Sequence, residues 1–528
     1  MKIGKQTPVH KGGDICVKNY RPITVCNSIS KILEKIVRDR IMEYLMRIKL
    51  LNKSQFGFRP KHSTNHAIIN LTETALDALE KGLKVGGVYL DISKAFDTVN
   101  HRILLRKLEY YGFRSTTLMW FESYLTNREQ YVGIRKSCSD KYTLNWGIPQ
   151  GGVLAPILFI LFMNDIDEST NVFDFSMYAD DTCLILGIKS LDYNETMKIE
   201  LEKVVDWFSS NELLLNFDKT DYLHFGPHYN KTYIKGEYDL TELHCALPNY
   251  LFHDDNWEPG DPDHIELNKK GEYVMHELQK VCPQYMFKEH IEMPDNNVIY
   301  EPENVKYLGV YFDGKLTFKK HIDILCCKIN RIVGTLWKSE HLNLEAKKMI
   351  YHGLVESHLN YAISAWGSVF SKNLTGTLML DHVPENLKIL VTTQNKVIRA
   401  IFRKRNYNKE TKTHTSVTPL YKELGVLKLC DLYYYNLAIM AHDYFHSNVL
   451  PEKLSEKYTK KSDVTEVVTR CNEFELYYPT PRLSSTVRKP SVASSAVWNI
   501  LPLEIRSVKS KNTFKAKLRE YFIAKYNG

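Results

Sequence analysis

Residues 176–186 read SMYADDTCLIL, with two adjacent acids, Asp180 and Asp181, inside an apolar run. Acidic side chains are disfavoured in strands, so the pair reads as the tight turn of a β-hairpin. Asp is a good turn residue by itself, and an isolated ADD turn needs no other purpose. The second reading is that the charges hold something that requires them. Upstream, VGGVYLDI (85–92) is a short apolar strand that ends in a further acid, Asp91. Neighbouring strands lie about 5 Å apart, so such turns can bring Asp91, Asp180 and Asp181 together. Oxygen-only ligands suit Mg²⁺ or Mn²⁺ rather than zinc. Two such ions about 4 Å apart can activate an attacking hydroxyl and stabilise the leaving oxygen of an in-line phosphoryl transfer.

The rest of the chain bounds this reading. With 528 residues, 44% of them hydrophobic and 25% charged, it can bury the cores of about two to four domains. A net charge of +8 is a mild basic bias, compatible with a polyanionic partner. The ten cysteines are scattered without any C-x-x-C, which disfavours a zinc ribbon or a disulfide framework and suits reduced thiols in an intracellular protein. The opening MKIGKQTPVHKGGD has no apolar core of a signal peptide. VLAPILFILFM (153–163) is too short for a bilayer, which takes about 20 residues, and is expected to be a buried helix. No membrane partner is expected.

Residues 1–27 are loop-like. Residues 28–51 carry a helical pattern, with Ile29, Ile32, Leu33, Ile36, Ile41 and Leu45 on one face and Asn27 or Ser28 as cap. A turn-rich QFGFRPKHST (55–64) precedes a second helix, 66–82, ending at Gly82. After the strand at 85–92, residues 95–112 are expected to be helical, with Asp97 as N-cap and Gly112 as stop. WGIPQGGVLAP (146–156) is a Gly/Pro loop. Residues 218–225 and 305–318 are strand-like, with Asp313-Gly314 as a hairpin turn. The stretch 239–303 holds fifteen Asp and Glu against four Lys. Within it HDDNWEPGDPDH (253–264) reads as a solvated acidic loop rather than a metal site. Beyond Phe318 the pattern is mostly helical, and the end is basic: Arg488, Lys489, Arg506, Lys509, Lys511, Lys515, Lys517, Arg519 and Lys525.

Six motifs decide between the two readings of the acidic turn. NYRPI (19–23), QFGFRP (55–60), DISKAFD (91–97), WGIPQGGVLAP (146–156), YADD (178–181) and KYLGVYFD (306–313) occur in this order. They resemble the reverse transcriptase family, and most closely the jockey-like polymerases of non-LTR (LINE-type) retrotransposons. The resemblance runs over about residues 5–345. PLYKELGVLKL (419–429) and SSAVWNILPLEIR (494–506) are similar to the tail of the same elements.

The resemblance implies an α+β right hand. Fingers come mainly from residues 1–80. A palm of antiparallel strands is covered by helices at 66–82, 97–111 and 153–165. Fingers and palm together span 1–315, with an acidic insertion at 226–304 projecting from the palm edge. A thumb-like helical region follows at 316–385, opened by the helix at 321–337, and a basic, mostly helical domain at 386–528. The implied catalytic aspartates are Asp91, Asp180 and Asp181. With the backbone of Ile92 they would hold two Mg²⁺ or Mn²⁺ ions. Lys219 would protonate the departing pyrophosphate, or be a surface lysine. Phe96 would pack under the incoming sugar and reject a 2′-hydroxyl. Lys11, Arg21, Gln150 and Gly151 would contact the nucleotide. Arg59 would face the template or brace the fingers. Tyr307, Leu308 and Gly309 would grip the primer end. The implied partners are an RNA template, a DNA primer and dNTPs, and the implied compartment is the nucleus, or the cytoplasm. Such elements usually carry an endonuclease and an N-terminal polymerase extension. Neither is recognisable here, so a truncated copy that does not itself nick a target is expected. The competing expectation is a catalytically inactive remnant that only binds RNA or RNA/DNA hybrid. An RNA-directed RNA polymerase is disfavoured by Phe96, since that enzyme must admit the 2′-hydroxyl.

Overall fold

The computed structural model describes residues 2–10, 12, 14–16, 19–189, 193–226, 290–293, 298–373, 383–404, 407–408, 413–447, 449–464, 474–479 and 484–526. The sheet that carries the acidic turn has four antiparallel strands. The hairpin strands Asp174–Tyr178 and Asp181–Ile188 lie on one side of the central strand Lys84–Leu90, and Asp221–Phe225 lies on the other. Alternate residues of these strands point to two different cores. Val85, Tyr89, Cys183, Ile185, Leu223 and Phe225 enter one apolar cluster. Val88, Leu90, Leu184, Leu186 and Tyr222 enter the other. The period of two that a strand imposes on its side chains therefore buries both faces, which is why these segments read as nearly continuous apolar runs.

The helix Thr64–Glu80 covers one face. The other is covered by His101–Tyr110 and by Ala155–Phe162, whose residues are nearly all buried. A second sheet joins Ile3–His10 to Tyr20–Val25 antiparallel and to Arg128–Ile134 in parallel. Residues 1–27, expected to be loop-like, thus supply two strands of a sheet that also draws on a segment around residue 130, which has no motif of its own.

Three further local expectations are corrected. The helix after Asp91 starts at His101, and its cap is Asn100, whose side chain accepts from the backbone of Arg102 and Ile103. Asp97 lies in the preceding turn, its N–H bonded to the Lys94 carbonyl. Residues 96–100 are tied instead to the 146–148 loop, by the carbonyls of Phe96 and Val99 and by a bridge from Asn100 to Trp146, and this holds them in a turn short of the helix. The hairpin at 304–313 turns at Leu308-Gly309, with φ of 46° and 82°. Positive φ at both central residues suits the right-handed twist of the flanking strands. Asp313 serves another purpose: its carboxylate accepts from the backbone of Lys315, Thr317 and Phe318 and shapes the entry to the next helix. The third concerns the helix Ser28–Arg47, capped by Asn27. Its inward stripe is Ser30, Glu34, Ile41 and Leu45, while Ile29, Ile32, Leu33 and Ile36 face solvent. The rotation follows from Glu34, whose Oε2 accepts from the N–H groups of Val153 (2.6 Å) and Leu154 (3.2 Å). A carboxylate at a helix N-terminus is favoured by the helix dipole.

Beyond the hairpin, Lys319–Lys338 and Glu385–Phe402 pack along each other, and one apolar cluster continues from the palm sheet through them to the C-terminal helices Leu429–His442 and Pro490–Ile500. Polar contacts close this joint. Thr64–Glu80 presents Glu73, Asp77 and Glu80 along one edge. Glu73 caps Pro490–Ile500 by accepting from the backbone N–H and hydroxyl of Ser491. Lys489 pairs with Asp77 and Glu80, and Lys457 with Asp77. Most of 226–304, including 253–264, lies outside the described residues. Its returning end forms a small hairpin of His290–Glu292 with Val298–Tyr300, seating Met293 and Ile299 in the palm core. All described cysteines are free thiols.

Burial raises the Glu73 carboxyl from its ordinary 4.5 to about 7. The folded chain therefore keeps this proton between those values while the unfolded chain has lost it. Stability from this group falls as pH rises through that window. Replacing Glu73 by Gln should remove on the order of 3 kcal/mol of this loss. Denaturant titrations of parent and Glu73→Gln at pH 5 and pH 8 read the difference. Equal pH dependence of the two proteins would refute the assignment.

Candidate active site

The central strand and its neighbour run out together at one end of the sheet. The last ladder pair is Leu90 with Thr182, so Asp91 and Asp181 lie one residue beyond it, on adjacent strands. Asp180 stands in the hairpin turn itself, next to Ala179, whose φ is 60°. Burial raises the Asp180 carboxyl, and the neighbouring Asp91 raises it further. Burial and the charges of Asp180 and Asp91 push Asp181 up to about 6, and Arg21 opposes both shifts. Each of the three aspartates is thus close enough to feel the others, and Arg21, exposed on the strand Tyr20–Val25, is close enough to feel them too.

The turn is held from outside by Gln55. Its Oε1 accepts from Ala179 N (2.9 Å) and from Gly57 N (2.7 Å). The chain on either side is sewn to the hairpin strand, Phe56 N to Met177 O and Met177 N to Ser54 O, at 2.8 and 2.9 Å. Gly57 lies so close that a Cβ there would stand 2.4 Å from Ala179 N. Gln55 belongs to a motif visible in the sequence, but its role depends on a contact 124 residues away. Arg59 of the same motif donates to the carbonyls of Asn52 (2.5 Å) and Gln55 (3.0 Å). Its guanidinium is engaged in bracing the loop.

The 146–152 loop forms the next wall. Gly147 N and Ile148 N donate to the carbonyls of Val99 and Phe96, and buried His101 Nε2 donates to Gly147 O at 2.6 Å. Gln150 is tied to the fingers through its carbonyl, which accepts from Thr24 N at 2.7 Å. Gly151 has φ 119°, and a Cβ there would come within 2.5 Å of Thr24 O, so the loop can press against the finger strand only with glycine at this place. Phe96 is half-buried and stacks on Phe159, with centroids 4.8 Å apart. The side chain of Ile92 is buried in the palm core, which leaves its backbone as the part able to face the cleft. Lys219 is exposed, in a short turn beside Asn216, whose N–H donates to Asp91 O at 2.9 Å. Tyr307, Leu308 and Gly309 form the end of the neighbouring hairpin, with Tyr307 OH donating to Ser176 O at 2.9 Å. Lys11 lies outside the described residues. Among the described residues, no three His, Cys, Asp or Glu side chains converge into a ready-made ion site, and no helix is long and apolar enough to cross a membrane.

An antiparallel palm with carboxylates at its strand ends, faced by a cationic finger strand, defines the polymerase class of nucleotidyl-transfer folds. Residues 7–312 match the family described as "Reverse transcriptase (RNA-dependent DNA polymerase)", and the chain belongs to that family. It is 25% identical over 415 residues to the "Probable RNA-directed DNA polymerase from transposon BS" of Drosophila melanogaster, covering 74% of this chain and 37% of that protein. It is 26% identical over 380 residues to the "RNA-directed DNA polymerase from mobile element jockey" of the same species, covering 69% and 35%. The chain therefore spans little more than a third of these curated relatives. A solved apo telomerase from Candida tropicalis aligns over 88% of this chain and 68% of its own, with a TM-score of 0.36 and 11% identity.

Gly57→Ala should destabilise the protein by about 1–3 kcal/mol, because the backbone of the turn cannot yield to a methyl group. Gly334→Ala, at an exposed helix position with nothing within 4 Å, should stabilise it by about 0.5–1 kcal/mol. Chemical denaturation of both variants checks the pair. Equal behaviour would show that the close approach at Gly57 does not constrain the turn.

Proposed function

We propose that the chain is an RNA-directed DNA polymerase of a mobile element, adding dNTPs to a DNA primer 3′ end on an RNA template. The observation that carries this is the placing of Asp91, Asp180 and Asp181 at adjacent strand ends of the palm, within electrostatic reach of one another and of Arg21. Their all-oxygen donor set fits hard divalent cations, and Asp91 and Asp180, with Asp181 beside them, would hold Mg²⁺ or Mn²⁺. Two bound ions would lower the pKa of the primer hydroxyl and neutralise charge on the leaving oxygen. The chain's own residues do the positioning. Arg21, with Lys11, would take phosphate oxygens, for which a guanidinium offers paired donors. The Gln150–Gly151 wall would set the nucleotide against the template. Phe96, backed by Phe159, would close the space a 2′-hydroxyl needs. Lys219 stands exposed beside the strand segment bonded to Asp91 and would give a proton to pyrophosphate. The exposed Lys319, Lys320, Lys328, Arg331 and Lys338 of Lys319–Lys338 would meet backbone phosphates, which makes hybrid binding salt-dependent. This reading implies the nucleus as its compartment, with the cytoplasm as the alternative. The alternative is a remnant that binds hybrid without synthesis.

Incorporation of dNTPs on a primed RNA template with Mg²⁺ is expected from the parent. Asp180→Ala should lower it by a factor on the order of 10³ or more. Hybrid binding without incorporation by either protein would support the remnant. Phe96→Ala should reduce the preference for dNTP over rNTP by about tenfold or more, read from the two kcat/KM values. An unchanged preference would remove Phe96 from sugar selection.

A further inference from the structure

The hairpin Asn304–Tyr307/Val310–Asp313 is joined by two residues only. Its first connecting residue, Leu308, holds φ 46°, a left-handed conformation that costs a side chain with a Cβ and is ordinarily left to Asn, Asp or Gly. Something outside the hairpin keeps it there. Tyr361, 53 residues further on, donates its hydroxyl to the Leu308 carbonyl at 2.5 Å. Its ring lies 3.7 Å from where a Cβ of Gly309 would stand, so the tyrosine covers both residues of the turn.

Tyr361 is itself fixed. Its carbonyl accepts from the indole N–H of buried Trp366 at 2.7 Å. The next residue, Ala362, is also left-handed, with φ 53°, and its N–H donates to Asn65 Oδ1 at 3.1 Å. Asn65 opens the helix that covers the palm sheet. On the other side of the hairpin, Tyr307 OH holds Ser176 O, in the strand that leads into Asp180. The tip of the hairpin is thus bolted twice. One bolt runs to the strand of the catalytic turn and the other to the helical region beyond Lys319–Lys338.

We propose that Tyr361 is a positioning residue for the primer terminus, acting by holding the Leu308–Gly309 turn at a set distance from Asp180. This rests on the polymerase reading above. Tyr361 does not touch reacting groups in this role. Loss of its hydroxyl lets the turn relax, so the primer hydroxyl is presented less often in line. That lowers the rate of the chemical step without changing how the nucleotide binds.

The test compares parent, Tyr361→Phe and Tyr421→Phe on a primed RNA template. Tyr421 gives its hydroxyl to Asn395 at 2.9 Å in the C-terminal core, so its variant controls for losing a buried tyrosine hydrogen bond elsewhere. The expected result is a kcat about tenfold lower for Tyr361→Phe, with dNTP KM and hybrid Kd unchanged. Tyr421→Phe should keep the kcat of the parent. A Tyr361→Phe enzyme with the parent's kcat overturns the proposal, as does an equal fall in both variants that tracks their Tm. A parent without any incorporation overturns the polymerase reading, and the positioning role falls with it. An active parent separates the two failures.

Discussion

Three carboxylates stand at one end of a sheet and repel one another, and the charge the structure sets against them is exposed Arg21. Coulomb forces alone would open this arrangement. What holds it is backbone hydrogen bonding, above all the Gln55 carboxamide that receives the N–H of left-handed Ala179 and the N–H of Gly57 at once. A neutral amide can do this without shifting the charge of the site, whereas a Lys or Arg placed there would compete for the same carboxylates. The loop that supplies Gln55 is tied in turn by Arg59 and by Asn52, which bonds Asn164 at the far end of the buried helix Ala155–Phe162. Fingers, acidic hairpin and buried helix therefore share one set of hydrogen bonds, of which the two to Gln55 Oε1 are buried and correspondingly costly to break.

The other walls of the cleft follow the same logic. Glu34 reaches from the finger helix to cap the buried helix, and this contact fixes which face of the finger helix points inward. His101 and Thr24 hold the 146–152 loop from opposite sides. Burial pushes the His101 ring below its usual value, which keeps it neutral and leaves Nε2 as a single donor. Around the three aspartates the walls are held by the Gln55 amide, the His101 ring and backbone groups, with Glu34 and Arg59 bonded to the backbone behind them.

The C-terminal half uses charge differently. Of the nine cations that make its sequence basic, Arg488, Lys489, Arg506, Lys511 and Arg519 donate to partners within the chain. Lys525 lies over the Tyr521 ring. A basic composition here reflects docking onto the palm helix and internal packing as much as an outward field. The exposed cations of Lys319–Lys338, in contrast, lie on one amphipathic helix whose other face is buried in the core.

Sequence alone determined the period-two apolar strands, the buried helix, the stops at Gly82 and Gly112, and the motifs that place Asp91, Asp180 and Asp181. These are local properties, set by side-chain alternation, backbone freedom and residue chemistry within a few positions. Tertiary structure decided what depends on distant partners. Asn100 rather than Asp97 caps its helix because the preceding residues are tied to the 146–148 loop. The later hairpin turns at Leu308-Gly309, held by Tyr361, while Asp313 is taken up in capping backbone N–H groups. Four isoleucine and leucine positions of the finger helix face outward because a carboxylate 119 residues from its partner sets the rotation. A hydrogen bond between segments so far apart leaves no periodic trace in either one, so only the folded chain reveals it.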